Sequence, residues 1–337
     1  MRAVRGFSMD LAQTLAERIR EWEEADAVEI RDLERVTTGA SRQTWLFTAV
    51  IRKAGSTREQ AMVLRKDPKV GLSYSSRAEE FAVLRKAYEH GIPVPRPLYQ
   101  SDTALDTPFF IMERVFGETY PKRLLNDERF AATRGRWAYA LGRILARIHR
   151  IPLTEDLSFL KRASVLEQIE HNEGVWRATK LNDSPVLEFA FRYLKTHVPP
   201  NPPTCFLHAD FRMGNILFDE AGVKAILDWE LAQTGDPMYD IAVLCMKSWR
   251  FDKPENRVGG FGKEEDFFRG YEEAGGFPIE RDRIRYWEIL ANCFWATVTV
   301  AQSRFFLEAP RGDLEYAKLG RRTSECEVEL VDLLRAC

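Results

Sequence analysis

The sequence has little net charge: among its 337 residues, 49 basic and 51 acidic side chains leave a formal −2. A chain held to nucleic acid by bulk charge carries a strong basic excess, so that class is excluded, although a local phosphate site is not. No uncharged apolar run of about 18 residues occurs, so neither a membrane span nor a membrane partner is expected. Met1 to Asp10 contains two arginines but no apolar core of the kind a secretory signal needs. Cysteine is scarce. Cys205, Cys245, Cys293, Cys326 and Cys337 are widely spaced and form no C-x-x-C pair. A disulfide scaffold or zinc ribbon is therefore not expected, and a reducing cytoplasm fits. Cys205 and His208 make a lone C-x-x-H, a weak metal signal without a second ligand pair. There is no internal repeat and no low-complexity tract.

What is present is an ordinary globular composition, 45% hydrophobic and 30% charged, at a length that suits about two domains. Leu11, Leu15, Ile19 and Trp22 recur at helical spacing, which predicts a helix within 1–26 packed on the body. From Val28 to Val115 the pattern is mostly strands: VEIRDLERV, TWLFTAVI and AMVLRK are separated by the turn-like TTGAS and KAGST. One helix interrupts them. Ser75 and Ser76 can cap it, Phe81, Leu84 and Tyr88 line one face, and Gly91 closes it. Two more strand-like runs follow, at Pro97–Gln100 and Phe109–Val115. After Gly117 helical patterns dominate, from the segment ending near His149 through 185–197, 236–249, 264–274, 281–308 and 313–335. The short strands CFLHAD and VKAILDW sit among them, joined through NILFDEAG. The predicted architecture is α+β, with a sheet-rich part at 27–115 and a larger helical part at 116–337.

The most informative stretch is FLHADFRMGNILFDEAGVKAILDWELAQTGDPMYDIA. It carries His208-x-Asp210, then Asn215 five residues on, then Asp228 at the end of an apolar strand. One carboxylate near a reacting hydroxyl, with an amide and a second carboxylate able to hold Mg²⁺, is what phosphoryl transfer asks of a protein. Hard oxygen ligands in small number suit Mg²⁺ bridging nucleotide phosphates. A turn at DEAG would pair ILF with AIL and bring Asn215 and Asp228 to one end of a ribbon. His208 reads as a loop-ordering residue. Asp236 and Asp240 read as residues that cap the following helix and tie the loop. His90, His149, His171 and His197 have no partner cluster in the sequence and receive no chemistry.

HADFRMGN, ILDWE and GDPMYDIA together resemble the aminoglycoside phosphotransferase and choline-kinase-like family, and GIPVPRPL, FIMERVFGE and ILDWELAQTGDP look nearest to the branch that includes the kinase-like domains fused to acyl-CoA dehydrogenases. The resemblance implies a protein-kinase-like bilobal fold, with a small antiparallel-sheet N-terminal lobe holding one helix and a larger, mainly helical C-terminal lobe. It implies ATP and Mg²⁺ as cofactors, Asp210 as the catalytic base or hydroxyl-orienting residue, and Asn215 and Asp228 as magnesium ligands. D-W-E departs from the kinase D-F-G, and whether Glu230 joins a second metal stays open. In the family the turn at Thr37–Ser41 covers the phosphates, which assigns Thr38, Gly39 and Ser41 to the nucleotide. That turn has one glycine, not three, so a nest of N–H groups would do the binding. Kinases also need a strand cation paired with a helix glutamate. Alternation puts Arg65 and Lys66 on opposite faces and leaves both open; the family pattern falls on Arg65. The glutamate is Glu79 or Glu80, and the pattern favours Glu80. FFIMERVFG resembles the strand that meets the adenine, with Met112 as an apolar wall and the backbone of Glu113 to Val115 reading the base edge.

The acceptor is a small-molecule hydroxyl, with a hydroxyacyl compound as one implied class. EEDFFRGYEE is acidic, as a polycationic antibiotic would require, yet 281–307 is mixed and aromatic. A genuine aminoglycoside O-phosphotransferase is therefore an alternative. A catalytically silent nucleotide-binding protein is a second, opposed by the joint presence of Asp210, Asn215 and Asp228. A protein kinase is a third, opposed because GDPMYDIA follows Asp228 too closely for a long activation loop.

Overall fold

The computed structural model describes residues 2–36, 43–67, 75–160, 164–308 and 314–337. The chain divides into two compact units, Met1–Gly117 with Lys224–Leu231, and Glu118–Val223 with Ala232–Cys337.

In the first unit, α1 (Arg2–Glu23) is followed by β1 (Ala27–Val36), β2 (Gln43–Lys53) and β3 (Ser56–Lys66), then α2 (Arg77–Glu89), β4 (Pro97–Ser101) and β5 (Phe109–Glu113). The sheet order is β1-β2-β3-β5-β4, with every neighbouring pair antiparallel. β2 and β3 meet in a two-residue turn in which Ala54 and Gly55 take φ of 49° and 77°. Positive φ at both positions matches the right-handed twist of the strands. Leu11, Leu15 and Ile19 lie one helical turn apart and bury the inner face of α1 against Phe47, Leu64, Phe109 and Ile111. Trp22 stacks on Tyr99 at 4.7 Å. α2 opens on Ser76 with a capping box: the Glu79 N–H donates to Ser76 Oγ, and the Ser76 N–H donates to Glu79 Oε2 at 2.8 Å.

The second unit begins with the short helices α3 (Pro121–Asn126) and α4 (Ala131–Arg134), then α5 (Trp137–His149), α6 (Val165–Thr179) and α7 (Pro185–Thr196). After the strands β6 (Cys205–Leu207), β7 (Ile216–Asp219), β8 (Gly222–Ile226) and β9 (Gln233–Gly235) come α8 (Met238–Cys245), α9 (Glu264–Glu273), α10 (Arg281–Glu308), α11 (Leu314–Leu319) and α12 (Thr323–Arg335). β8 starts in this unit and carries the chain into the first. β6 pairs with β9, a partner that the QTG sequence does not signal because it has no apolar run. The helix expected over 236–249 is only eight residues long and gives way to a 3-10 turn at Lys247–Trp249. α5 and α9 pack closely: a Cβ on Gly142 would collide with the Phe267 carbonyl, and one on Gly270 with that of Tyr139. Among the described residues no helix is long and apolar enough to cross a membrane.

This unit also buries charge. Glu288 of α10 lies 3.0 and 2.8 Å from Arg257 Nη2. Burial pushes its carboxyl up to about 7, against the lowering pull of Arg257 and with a further raising push from Glu329. A carboxyl raised in the folded state stabilises the fold below its unfolded pKa and loses that contribution as pH rises through the folded value. Stability should therefore fall between pH 5 and 8, by up to about 3 kcal/mol from this group. Chemical denaturation of the Glu288→Gln variant across that range should show a flatter profile. An unchanged slope would contradict the assignment.

Candidate functional site

In the first unit the chemistry gathers on β3, α2 and the segment after β8. Arg65 is 13% exposed, with Nη1 3.3 Å from Glu80 Oε1 and Nη2 3.0 Å from Asp228 Oδ1. The structure thus brings Arg65, Glu80 and Asp228 together. Burial alone would depress the guanidinium's pKa, but Glu80, Asp228 and Glu230 more than offset it and hold Arg65 charged. Lys66 points elsewhere: it is buried and paired with Asp106. Glu79 is engaged by the helix cap, which leaves Glu80 to face the strand.

Sequence reasoning missed Arg77. This fully buried arginine at the start of α2 pairs with Glu80 Oε2 and, at 3.0 Å, with Asp67 Oδ1. The result is a chain of alternating charge, Asp67–Arg77–Glu80–Arg65–Asp228. Buried Glu80 thus stands between two arginines, one of which, Arg65, it orients. The S-x-x-E cap was the available signal for Glu79; nothing local marks Arg77.

Asp228 has φ of 65° and Ala209 φ of 64°, left-handed values that non-glycine residues adopt at a cost. Trp229 turns inward, nearly fully buried, and its Nε1–H donates to Ile226 O at 3.1 Å. The residues on either side, Asp228 and Glu230, stay partly exposed.

Along β5, Met112 sits opposite Val63 and Pro97. The N–H groups of Glu113 and Arg114 are engaged, donating to Arg96 O and Ala61 O, each at 2.9 Å. Val115 N–H has no backbone acceptor among the described residues, which makes it the remaining donor of the expected base-reading segment. Thr38, Gly39 and Ser41 lie outside the described residues.

In the second unit the loop after β6 is fixed from below. Asp240 accepts from the N–H groups of His208 at 2.9 Å and Ala209 at 2.7 Å. Its Oδ2 also lies 3.1 Å from His149 Nε2, and His149 Nδ1 lies 2.7 Å from the Tyr271 hydroxyl. The close approach of α5 and α9 delivers this buried His149–Tyr271 pair. His149, given no chemistry by the sequence, therefore has a structural place. His208 is buried, and its Nδ1 accepts from the Asp210 N–H at 3.1 Å. Asp236 accepts from the Met238 N–H at 2.9 Å at the head of α8.

On that base the Asp210 carboxylate is held at both oxygens. Arg212 Nε lies 2.8 Å from Oδ1, and Asn215 Nδ2 donates to Oδ2 at 2.5 Å and to the Asp210 carbonyl at 3.1 Å. The Arg212 guanidinium in turn lies over Trp249, 4.4 Å from the ring centroid. Arg212 was the other residue missed, although it stands within the motif. With the Asn215 nitrogen committed to Asp210, its amide oxygen Oδ1 is the polar atom left for another partner. That oxygen and the partly exposed Asp228 carboxylate are hard donors of the kind Mg²⁺ takes. They fall in different units. Among the described residues no group of three or more His, Cys, Asp or Glu side chains is placed to hold a metal by itself.

The model of the phosphotransferase enzyme family matches residues 32–277, most of the chain. The chain belongs to this family. It is 32% identical over 198 residues to acyl-CoA dehydrogenase family member 10 of Mus musculus, an alignment covering 56% of this chain and 18% of that protein. The chain thus spans a small part of that relative's length. Among solved structures it is similar to a Ralstonia eutropha protein assigned as an aminoglycoside phosphotransferase, at a TM-score of 0.75 and 21% identity, over 96% of this chain and 98% of that one. A mutant of aminoglycoside phosphotransferase APH(4)-Ia, solved with AMP-PNP and hygromycin B, matches at a TM-score of 0.63 and 17% identity, over 96% and 98%. These likenesses fix the fold as the α+β, protein-kinase-like fold of the phosphotransferase family.

Proposed function

We propose that the protein transfers the γ-phosphoryl group of ATP to a hydroxyl of a small molecule, with Mg²⁺. The observation that carries this is the Asp210 carboxylate, pinned by Arg212 and Asn215 on a loop whose backbone is tied to Asp240. Phosphoryl transfer through a loose transition state needs positioning and charge neutralisation more than covalent chemistry. Asp210 aligns the acceptor hydroxyl and takes its proton late, as charge builds on the attacking oxygen. Arg65, aimed by Glu80 and Arg77, gives the phosphates a planar cation able to grip two oxygens. Val115 N–H reads the base, against Met112 and the backbone of Glu113. Thr38, Gly39 and Ser41 are assigned to the phosphates by the family pattern. Asn215 and Asp228 hold the magnesium, which when bound neutralises the phosphate oxygens. The ternary complex of APH(4)-Ia with AMP-PNP supports the nucleotide reading.

Chemistry near the loop favours one acceptor class. Arg212 and Arg322 both lie over Trp249, at 4.4 and 5.2 Å. A polycation would meet like charge there, so an uncharged or acidic hydroxyl compound fits better than an aminoglycoside. Calorimetry with ATP should show binding that strengthens with Mg²⁺ and weakens in Arg65→Ala. Absence of ATP binding with Mg²⁺ present would overturn the reading.

A further inference from the structure

The second unit contains a cavity of about 560 Å³, walled by the 247–257 segment, the first turns of α9 and α10 and the end of α12. That is the size of a metabolite pocket. Five basic and four acidic side chains line it, with Phe268 and Ile284 among its apolar walls.

The hydrogen-bond accounting is one-sided. Glu264 gives Oε1 to Arg257 Nε at 2.6 Å and Oε2 to Arg281 Nη1 at 3.1 Å. Both Glu288 oxygens lie on Arg257 Nη2. Both Glu329 oxygens accept from the Lys247 backbone N–H, at 2.7 and 2.9 Å. Every oxygen of these three carboxylates is therefore engaged. The cations are not spent to the same degree. Among the described residues, Arg257 retains Nη1 and Arg281 retains Nε and Nη2. Among the described residues Lys247 Nζ has only Asp332, at 3.6 Å. The Arg281 guanidinium is steadied over the Phe268 ring at 5.1 Å while its side chain stays 61% exposed. Because Glu288 titrates near neutrality, the lining is more positive there than a count of formal charges implies.

Surplus donors on pre-placed guanidinium groups, in a concave site where three of the four lining carboxylates are already engaged, are complementary to an oxyanion. We propose that this cavity binds a small polyanion bearing phosphate or carboxylate groups, held by Lys247, Arg257 and Arg281. No function has been assigned above to any of the three.

The test is titration calorimetry of the full chain with inorganic phosphate and, separately, with citrate, at near-physiological salt. Saturable one-to-one binding with Kd below about 1 mM is expected for at least one of them, and the stronger partner tells phosphate from carboxylate chemistry. Arg281→Gln and Lys247→Met change exposed side chains and spare the buried Glu288 pair. Each should weaken binding by about fivefold or more while the anion-free melting temperature is kept. The inference is overturned by an adventitious ion only, meaning non-saturable binding or binding that both variants retain. It is equally overturned if Arg65→Ala, and not the cavity variants, removes the binding. Neither arm depends on turnover, so the result stands apart from the phosphotransfer reading.

Discussion

Replacing Asp210 by asparagine should lower kcat by about 10²–10⁴-fold while the protein keeps its fold and its nucleotide affinity. Asparagine has the same shape but cannot take a proton. The site makes the change sharper than a simple loss of basicity. Asp210 is an acceptor at both oxygens, facing Arg212 Nε and Asn215 Nδ2. An amide can satisfy only one of these donors with its oxygen and must turn its NH₂ toward the other. The loop itself should persist, because Asp240, His149 and Tyr271 hold the backbone from the opposite side. Steady-state kinetics with circular dichroism and ATP calorimetry on the same preparation separates these effects. A kcat within about threefold of the wild type would remove Asp210 from its proposed role.

The second large effect is expected at Asp228. Asparagine is the informative choice here because of the backbone. At φ of 65° most residues would strain the chain, whereas asparagine tolerates the left-handed region nearly as well as any non-glycine residue. Asp228→Asn thus removes a charge without disturbing the turn that presents it. Turnover at ordinary Mg²⁺ should fall about 10²-fold and recover in part as Mg²⁺ is raised. Arg65, freed from one of its two carboxylates, should rest on Glu80 alone. The magnesium concentration giving half-maximal rate is the quantity to follow. A drop in kcat with no change in that concentration would contradict the ligand role and leave Asp228 as a partner of Arg65 only.

Legibility in the sequence followed range. The strands of the first unit, the turn at Ala54–Gly55 and the Ser76 cap depend on neighbouring residues, and the sequence signals each of them. Asp210, Asn215 and Asp228 stand at short fixed intervals on loops between apolar runs, so their pattern is also visible. The choice between Arg65 and Lys66 is not local. Asp106 takes Lys66 across some forty residues of sequence, and no periodicity predicts that pairing. The choice of Glu80 over Glu79 is local, because the S-x-x-E box commits Glu79 to the cap. Arg77 and the His149–Tyr271 pair were beyond reach. They owe their positions to tertiary packing, the latter to two glycines that let α5 and α9 approach. β9 was missed for a different reason: three residues paired at a sheet edge need no apolar alternation of their own.

Phosphoryl transfer to a small-molecule hydroxyl is tested by following both products at once. Wild-type protein and Asp210→Asn are incubated with Mg²⁺-ATP and a panel of sugars, amino alcohols, aminoglycosides and hydroxyacyl thioesters, with ADP and acceptor mass read together. One acceptor class should gain a single phosphoryl group, stoichiometric with ADP formed, and the variant should lose this activity. ADP release without any phosphorylated acceptor, or equal product from the variant, would contradict it.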